Sequence, residues 1–306
     1  MSVQMRVIGV IYVDNRYHTG MFSQLDLELL SAIGSTAASA IENARLYAEA
    51  VENGRIEREL QMARHVQTSM LPQQLPELPG WDFAAQWLPA HQIGGDYYDF
   101  IPLEPLPGNP DRLGLVIADA TDKGAPAALF MANVRSTVRA LCSSTPSPLQ
   151  GIQRANQLIC ADSYLSMFIT MFYGQLNPQT GELIYINAGH NPPLLCSCST
   201  KANGSQPFYL QASGIPIGID AQTIYEQQSI TLEHGDFMVC YTDGVIDALN
   251  PMEEAFGMDR LLAVIAKADP TCCAAEILGM LQLTLLDFIG EREQYDDITI
   301  LVARRL

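Results

Sequence analysis

Apolar and polar positions along the chain fall into three regimes. Near the front, residues 6–14 (RVIGVIYVD) form a run rich in Val and Ile, of the kind that reads as a strand. A polar turn follows. Ser23 then stands where a helix N-cap belongs, with Asp26 in the first turn facing the positive end of the helix dipole. Beyond it, Ile33, Ala37, Ala40, Ala44, Tyr47 and Val51 step by four and three, as in a heptad seam. Gly54 interrupts that seam. Ile56, Leu60, Ala63 and Met70 resume it in shifted phase, a stutter-like break. A single amphipathic helix packed on its own domain and a dimeric coiled coil both fit this spacing. Pro72 and Pro76 end the helix. One strand and one helix bury too little to fold alone, so the chain is expected to start inside a domain, with residues 1–47 as its tail and 48–75 as a helical linker.

From residue 76 onward strands and helices mix without a βαβ rhythm. Residues 168–176 and 182–187 run apolar or alternate on either side of Asn177-Pro178-Gln179-Thr180-Gly181, which predicts a hairpin. Residues 237–241 and 298–303 are short apolar runs of buried-strand type. Residues 125–141 and 274–289 are long enough for helices, and 196–207 (CSCSTKANGSQP) reads as a loop. Hairpins interleaved with paired helices imply an α+β class, antiparallel sheets covered by helices.

Composition narrows the function classes. The 306 residues are 48% hydrophobic and 17% charged, enough for a substantial core. Acidic residues outnumber basic ones 34 to 17, for a formal net charge of −17. That balance opposes nucleic acid and anionic membranes as partners and fits a metal-rich site or a basic protein. The seven cysteines include no C-x-x-C pair and none begins a C-x5-R phosphatase loop. Reduced thiols and a cytoplasmic setting are expected, with no signal peptide and no apolar run long enough to span a bilayer.

Aspartates recur where strands should end. Asp96 lies in GGDYYD, Asp119 follows the apolar run 113–118, Asp243 follows 237–240, and Asp296, with Asp297 beside it, precedes 298–302. Alone, each reads as a turn or cap. Together, strand-flanked and glycine-linked, they predict carboxylates converging on one cleft. Such a cluster needs cations, and oxygen donors favour Mg²⁺ or Mn²⁺ over Zn²⁺. Two such ions, about 3.5–4 Å apart, activate a water and steady a phosphoryl group. His190, in NAGHN, is a candidate acid/base; the competing reading is that it closes a hairpin end.

Residues 76–306 resemble the PPM family of metal-dependent Ser/Thr protein phosphatases, in its SpoIIE-type branch. The landmarks are 94–100 (GGDYYDF), 119–131 (DATDKGAPAALFM), 168–173 (FITMFY), 187–193 (NAGHNPP), 214–218 (GIPIG), 235–249 (GDFMVCYTDGVIDAL) and 296–299 (DDIT), in family order. The resemblance implies an antiparallel β-sandwich flanked by helices, preceded here by a long helical linker, and two divalent cations, Mn²⁺ or Mg²⁺. It implies that Asp119 bridges both ions, Ala120 offers a backbone carbonyl, Asp243 and Asp296 hold the second ion, and Asp96 joins directly or through water. Relatives often read D-V-S-G-K-G where this chain reads D-A-T-D-K-G, so Asp122 is an extra acid that either adds charge near the site or shapes the turn. Residues 86–95 contain no arginine, which leaves Lys123 as the nearest basic candidate for phosphate. The implied mechanism is in-line attack by a metal-bridging water, without a phosphoenzyme.

Residues 6–47 resemble the last strand and helix of a GAF sensor domain. Residues 59–72 (ELQMARHVQTSMLP) resemble the helical linker that joins sensors to SpoIIE-type phosphatases, where a two-state helix, often in a homodimer, acts as a switch. The expected activity is hydrolysis of phosphoserine or phosphothreonine on a partner, by family a STAS-domain regulator. A catalytically silent binding module of the same fold, or a hydrolase for another phosphoester, stays open as the alternative.

Overall fold

Ser23 starts the first helix as its chemistry predicts. Its amide and hydroxyl donate to Asp26 Oδ2 at 2.8 and 2.7 Å, and the Asp26 amide donates back to Ser23 Oγ at 3.3 Å. This reciprocal cap satisfies donors that the first turn leaves without helical partners. The computed structural model describes residues 2–3, 6–14, 20, 22–106, 112–162, 167–197, 207–269 and 271–306, and the chain divides into two units, Met1–Met62 and Ala63–Leu306.

In the first unit, β1 (Ser2–Val3) and β2 (Arg6–Val7) pair antiparallel, and α1 begins its run over Gln24–Met70. The strand expected over 6–14 is confined to Arg6–Val7. A strand persists only where a neighbour takes its backbone hydrogen bonds, and among the described residues none pairs with 8–14, where Val10 is 85% exposed. The polar turn at 15–19 lies outside the described residues. Helix α1 is continuous through Gly54, so the shift in seam phase falls inside one unbroken helix. A helical glycine costs about 1 kcal/mol. Here Arg55 bonds both Glu52 and Glu59 at 2.6 Å, and Arg58 Nε donates to the Gly54 carbonyl at 2.9 Å, bracing the turn. The seam residues Ile33, Tyr47 and Val51 are exposed in the single chain.

The second unit contains two five-stranded antiparallel sheets. Its strands are β3 (Trp81–Leu88), β4 (Tyr97–Pro102), β5 (Leu113–Ala120), β6 (Ile169–Leu176), β7 (Glu182–Ala188), β8 (Leu194–Cys196), β9 (Phe208–Tyr209), β10 (Gln228–Thr231), β11 (Phe237–Tyr241) and β12 (Ile298–Arg305). One sheet has the order β10-β7-β6-β5-β4 and the other β3-β12-β11-β8-β9. The hairpin read around Asn177–Gly181 is β6–β7, paired from Met171↔Ala188 to Leu176↔Leu183. Helices α2 (Ala125–Ser144) and α3 (Pro148–Asp162) pack on the first sheet. The short α4 (Asp243–Ile246) follows β11. Helices α5 (Gly257–Lys267) and α6 (Ala274–Ile289) pack together, with α6 against β3 and β12. The expected α+β sandwich flanked by helices is therefore the observed architecture.

Packing follows from the apolar patterns. Phe83, Phe100, Ile117, Phe172, Met238 and Leu301, drawn from both sheets, share one buried core. Val239 and Ile300 share a second with Leu261, Ile265, Ile277 and Leu281 of α5 and α6. Each such side chain contributes about 1.5–3 kcal/mol on burial. On α2 the buried positions Ala127, Met131, Val134, Val138 and Cys142 step by three and four, as a helix face must. Arg139 of α2 reaches the fully buried Asp99 of β4 with bonds of 2.6 and 2.7 Å, tying the helix to the sheet. Of the loop read at 196–207, residues 198–206, with Cys198, lie outside the described residues. Among the described residues no helix is long and apolar enough to cross a membrane.

Candidate metal centre

Antiparallel pairing brings the acidic residues to one edge. Asp119 lies near the end of β5 and Asp96 just before β4, whose first residue, Tyr97, pairs with Ala118. Asp243 follows β11 and Asp296 precedes β12, whose partners include Tyr241↔Ile300. The edges of the two sheets are joined through Asp96. Its Oδ2 accepts from Thr242 Oγ1 at 2.8 Å and Thr299 Oγ1 at 2.6 Å, and the residue is 1% exposed.

Asp297 organises the loop that carries Asp96. Its carboxylate accepts from the amides of Ala90 at 2.8 Å and Gly95 at 2.6 Å, with a longer contact of 3.4 Å from Asp96. The loop approaches so closely that a Cβ at Gly94 would sit 2.3 Å from Asp297 Oδ2. Gly244 has the same constraint, since a Cβ there would lie 1.9 Å from the Asp297 carbonyl. The other side of the loop is held by Gln67, near the end of α1. Its amide nitrogen donates to the Gly94 carbonyl at 2.6 Å and its oxygen accepts from the Gly94 amide at 3.1 Å.

The carboxylates raise one another's affinity for protons. Burial, then the charges of Asp243, Asp296 and Asp297, push Asp119 up to about 7. Burial, then Asp119 and Asp297, hold Asp96 well above the usual carboxylate range, against the pull of the two threonine hydroxyls. Burial raises Asp243, with Asp296 and Asp247 adding to it and Lys123 opposing. Lys123 Nζ lies 3.0 Å from Asp296 Oδ2, donates to the Tyr295 carbonyl at 2.6 Å and stands 3.7 Å from the centroid of the Tyr295 ring. Ala120 ends β5, and its carbonyl would lie 3.0 Å from a Cβ at Gly95, so glycine keeps the space beside that oxygen open.

The carboxylates of Asp96, Asp119, Asp243 and Asp296 form a donor set of oxygens that suits hard divalent cations. Among the described residues, no three acidic, His or Cys side chains close around a single point. Mg²⁺ keeps several waters and takes one or two carboxylates rather than a full protein cage, so this open arrangement fits it.

The family model for Stage II sporulation protein E (SpoIIE) matches residues 109–306. The chain belongs to the SpoIIE family. Its catalytic region is a SpoIIE/PP2C-type Ser/Thr phosphatase domain, and phosphatases of this family are metal-dependent. The chain is 30% identical over 251 residues to the phosphoserine phosphatase RsbU of Bacillus subtilis, spanning 82% of this chain and 71% of RsbU. It is also 30% identical over 287 residues to protein IcfG of Synechocystis, covering 85% of this chain but only 43% of that longer protein. The SiaA-PP2C domain of Pseudomonas aeruginosa superposes with a TM-score of 0.69 at 21% identity, over 83% of this chain and 98% of that one. RsbX, solved in complex with magnesium, shares the fold at a TM-score of 0.55 and 17% identity, over 75% of this chain and 98% of that one.

The structure brings Asp119, Asp243 and Asp296 of the SpoIIE region to one edge with Asp96, which precedes the matched residues, and with Ala120 and Lys123 beside them. His190 is placed differently. It is 3% exposed, its Nδ1 lies 2.8 Å from Thr170 Oγ1, and burial pulls its pKa down to about 3. Burial and the Thr170 contact favour the hairpin-closing reading of His190 over the acid/base one. Thr170 pairs with Asp119 across β5 and β6, so His190 supports the strand that carries Asp119. Asp122 has φ 74°, a left-handed conformation where relatives carry glycine, which favours its turn-shaping role. Sequence reasoning assigned no role to Thr242, Thr299, Asp297 or Gln67. The first three lie inside the quoted landmarks; Gln67 carried no signal beyond its place in the linker.

Proposed function

We propose that the edge formed by Asp96, Asp119, Asp243 and Asp296 holds two divalent cations, Mg²⁺ or Mn²⁺, and hydrolyses phosphoserine or phosphothreonine on a partner protein. The observation that carries this reading is the convergence of these acids at the strand ends of both sheets, where Asp119 feels the charges of Asp243, Asp296 and Asp297 and Lys123 pairs with Asp296. When bound, the cations neutralise the cluster and the phosphoryl oxygens and supply an activated water for in-line attack. The chain's own residues set the geometry. Thr242 and Thr299 fix the Asp96 rotamer, Asp297 and Gln67 fix its backbone, and β5 presents Asp119 and the Ala120 carbonyl on a rigid sheet. Lys123, held on the Tyr295 ring at the rim, is the group that meets the phosphate of an arriving substrate.

The partner proposed is a phosphorylated STAS-domain regulator in the cytoplasm. Support comes from the likeness to RsbU, and from a Mycobacterium tuberculosis neighbour, Rv1364c, solved with RsbU and RsbW domains and superposing at a TM-score of 0.60 with 28% identity, over 75% of this chain and 61% of that one. The exposed seam of Ile33, Tyr47 and Val51 supports a homodimer through α1, and residues 1–47 remain a proposed GAF tail. Titration of the apoprotein with Mn²⁺ tests the centre. Two equivalents should bind, and Asp243→Asn should lose one of them. A single equivalent in the wild type would reject the two-ion reading.

A further inference from the structure

A cavity of about 290 Å³ opens between the start of α3, the β6–β7 hairpin and the segment leading into β10. It is remote from the acidic edge. Arg112, on its wall, immediately precedes β5, seven residues before Asp119, which is roughly 23 Å along a strand. Arg112 is 5% exposed, yet among the described residues no carboxylate pairs with it. With the Gln175 amide turned to face it, Arg112 Nε donates to Gln175 Oε1 at 3.1 Å, and Nη2 contacts the same oxygen. One neutral amide oxygen engages only part of a five-donor guanidinium. The remaining donors are accessible from the cavity, where an anion can take them.

We propose that this cavity binds a small organic monocarboxylate, with its carboxylate on Arg112 and its apolar body against Leu106, Pro148 and Ile184. The planar guanidinium fork matches a carboxylate bidentately. A single cation, with Glu182 also on the cavity wall, favours one negative charge over the two of a phosphate. The volume lies at the lower end of small-molecule sites, about 300–1,000 Å³, which calls for a short body. The site stands independently of the phosphatase reading, because it shares no residue with the metal centre.

The test is calorimetric titration of the full chain with butyrate, benzoate and inorganic phosphate, in EDTA so that no metal contributes. Butyrate or benzoate should bind saturably at one site, more tightly than phosphate. Arg112→Gln should weaken that binding at least about tenfold. Glu182→Gln should tighten it by removing a like charge. Absence of saturable carboxylate binding, unchanged affinity in Arg112→Gln, or tighter binding of phosphate would overturn the proposal. Should Arg112→Gln fail to fold, equal or weaker binding in Glu182→Gln would overturn it as well.

Discussion

Asp122 occupies a left-handed position at φ 74° beside Gly124 at φ 72°, so the turn after β5 needs two residues in a conformation that L side chains resist. The cost is about 1–2 kcal/mol for an ordinary residue and less for aspartate. Asp122→Gly should therefore stabilise the apoprotein by about 0.5–1 kcal/mol, which a thermal melt in EDTA would register as a rise of about 1–4 °C. A fall would mean that the carboxylate makes a contact worth more than the strain. His190 makes a pH prediction. Its pKa is depressed to about 3 in the folded state against an ordinary value near 6.5, so the unfolded chain binds the extra proton between those limits. Stability is unaffected above that window and declines as pH falls through it, by at most about 1.4 kcal/mol per pH unit. The difference in stability between wild type and His190→Gln should narrow on acidification from pH 7 to 5. A constant difference would show that His190 does not titrate on unfolding.

At the scale of elements, the last turns of α1 matter most. Gln67 is 4% exposed and bonds both the amide and the carbonyl of Gly94, two residues before Asp96. Gln67→Leu would leave both backbone groups without that partner, at about 1–3 kcal/mol each. Supporting residues of this kind typically change metal affinity 10–100-fold. Mn²⁺ affinity should fall into that range while the helical circular dichroism stays unchanged; unaltered affinity would show that the Asp96 loop holds itself. These elements also show what the sequence reveals. Strands β5 and β11, which carry or lead to Asp119 and Asp243, and the helices α2 and α6 were readable because their apolar runs are long and bounded by Gly, Thr or Asp. The strand over 6–14 was misread because a strand depends on neighbours that its own residues do not name. Helix α3 was missed because its buried face includes Asn156, a polar residue whose amide donates to the distant Asp220 carbonyl and whose oxygen accepts from the Gly218 amide, beside a local contact with Cys160.

For the whole molecule, two sheets meet along one edge and bring together acids separated by up to 200 positions in the chain, from Asp96 to Asp296. The four aspartates were legible because each sits at a strand end. Their supports were not, since Asp297 closes on Gly95 across 202 residues and Thr299 on Asp96 across 203, contacts that exist only after folding. The mutual repulsion of these acids, opposed among the described residues by Lys123, is what bound cations would relieve under the proposed function. The most direct measurement is hydrolysis of a phosphoserine peptide by the full chain, with Mn²⁺, with EDTA, and with Asp119→Asn. The account predicts turnover with Mn²⁺, none in EDTA, and a loss of at least about a hundredfold in the variant. Turnover that persists in EDTA or in Asp119→Asn would contradict it.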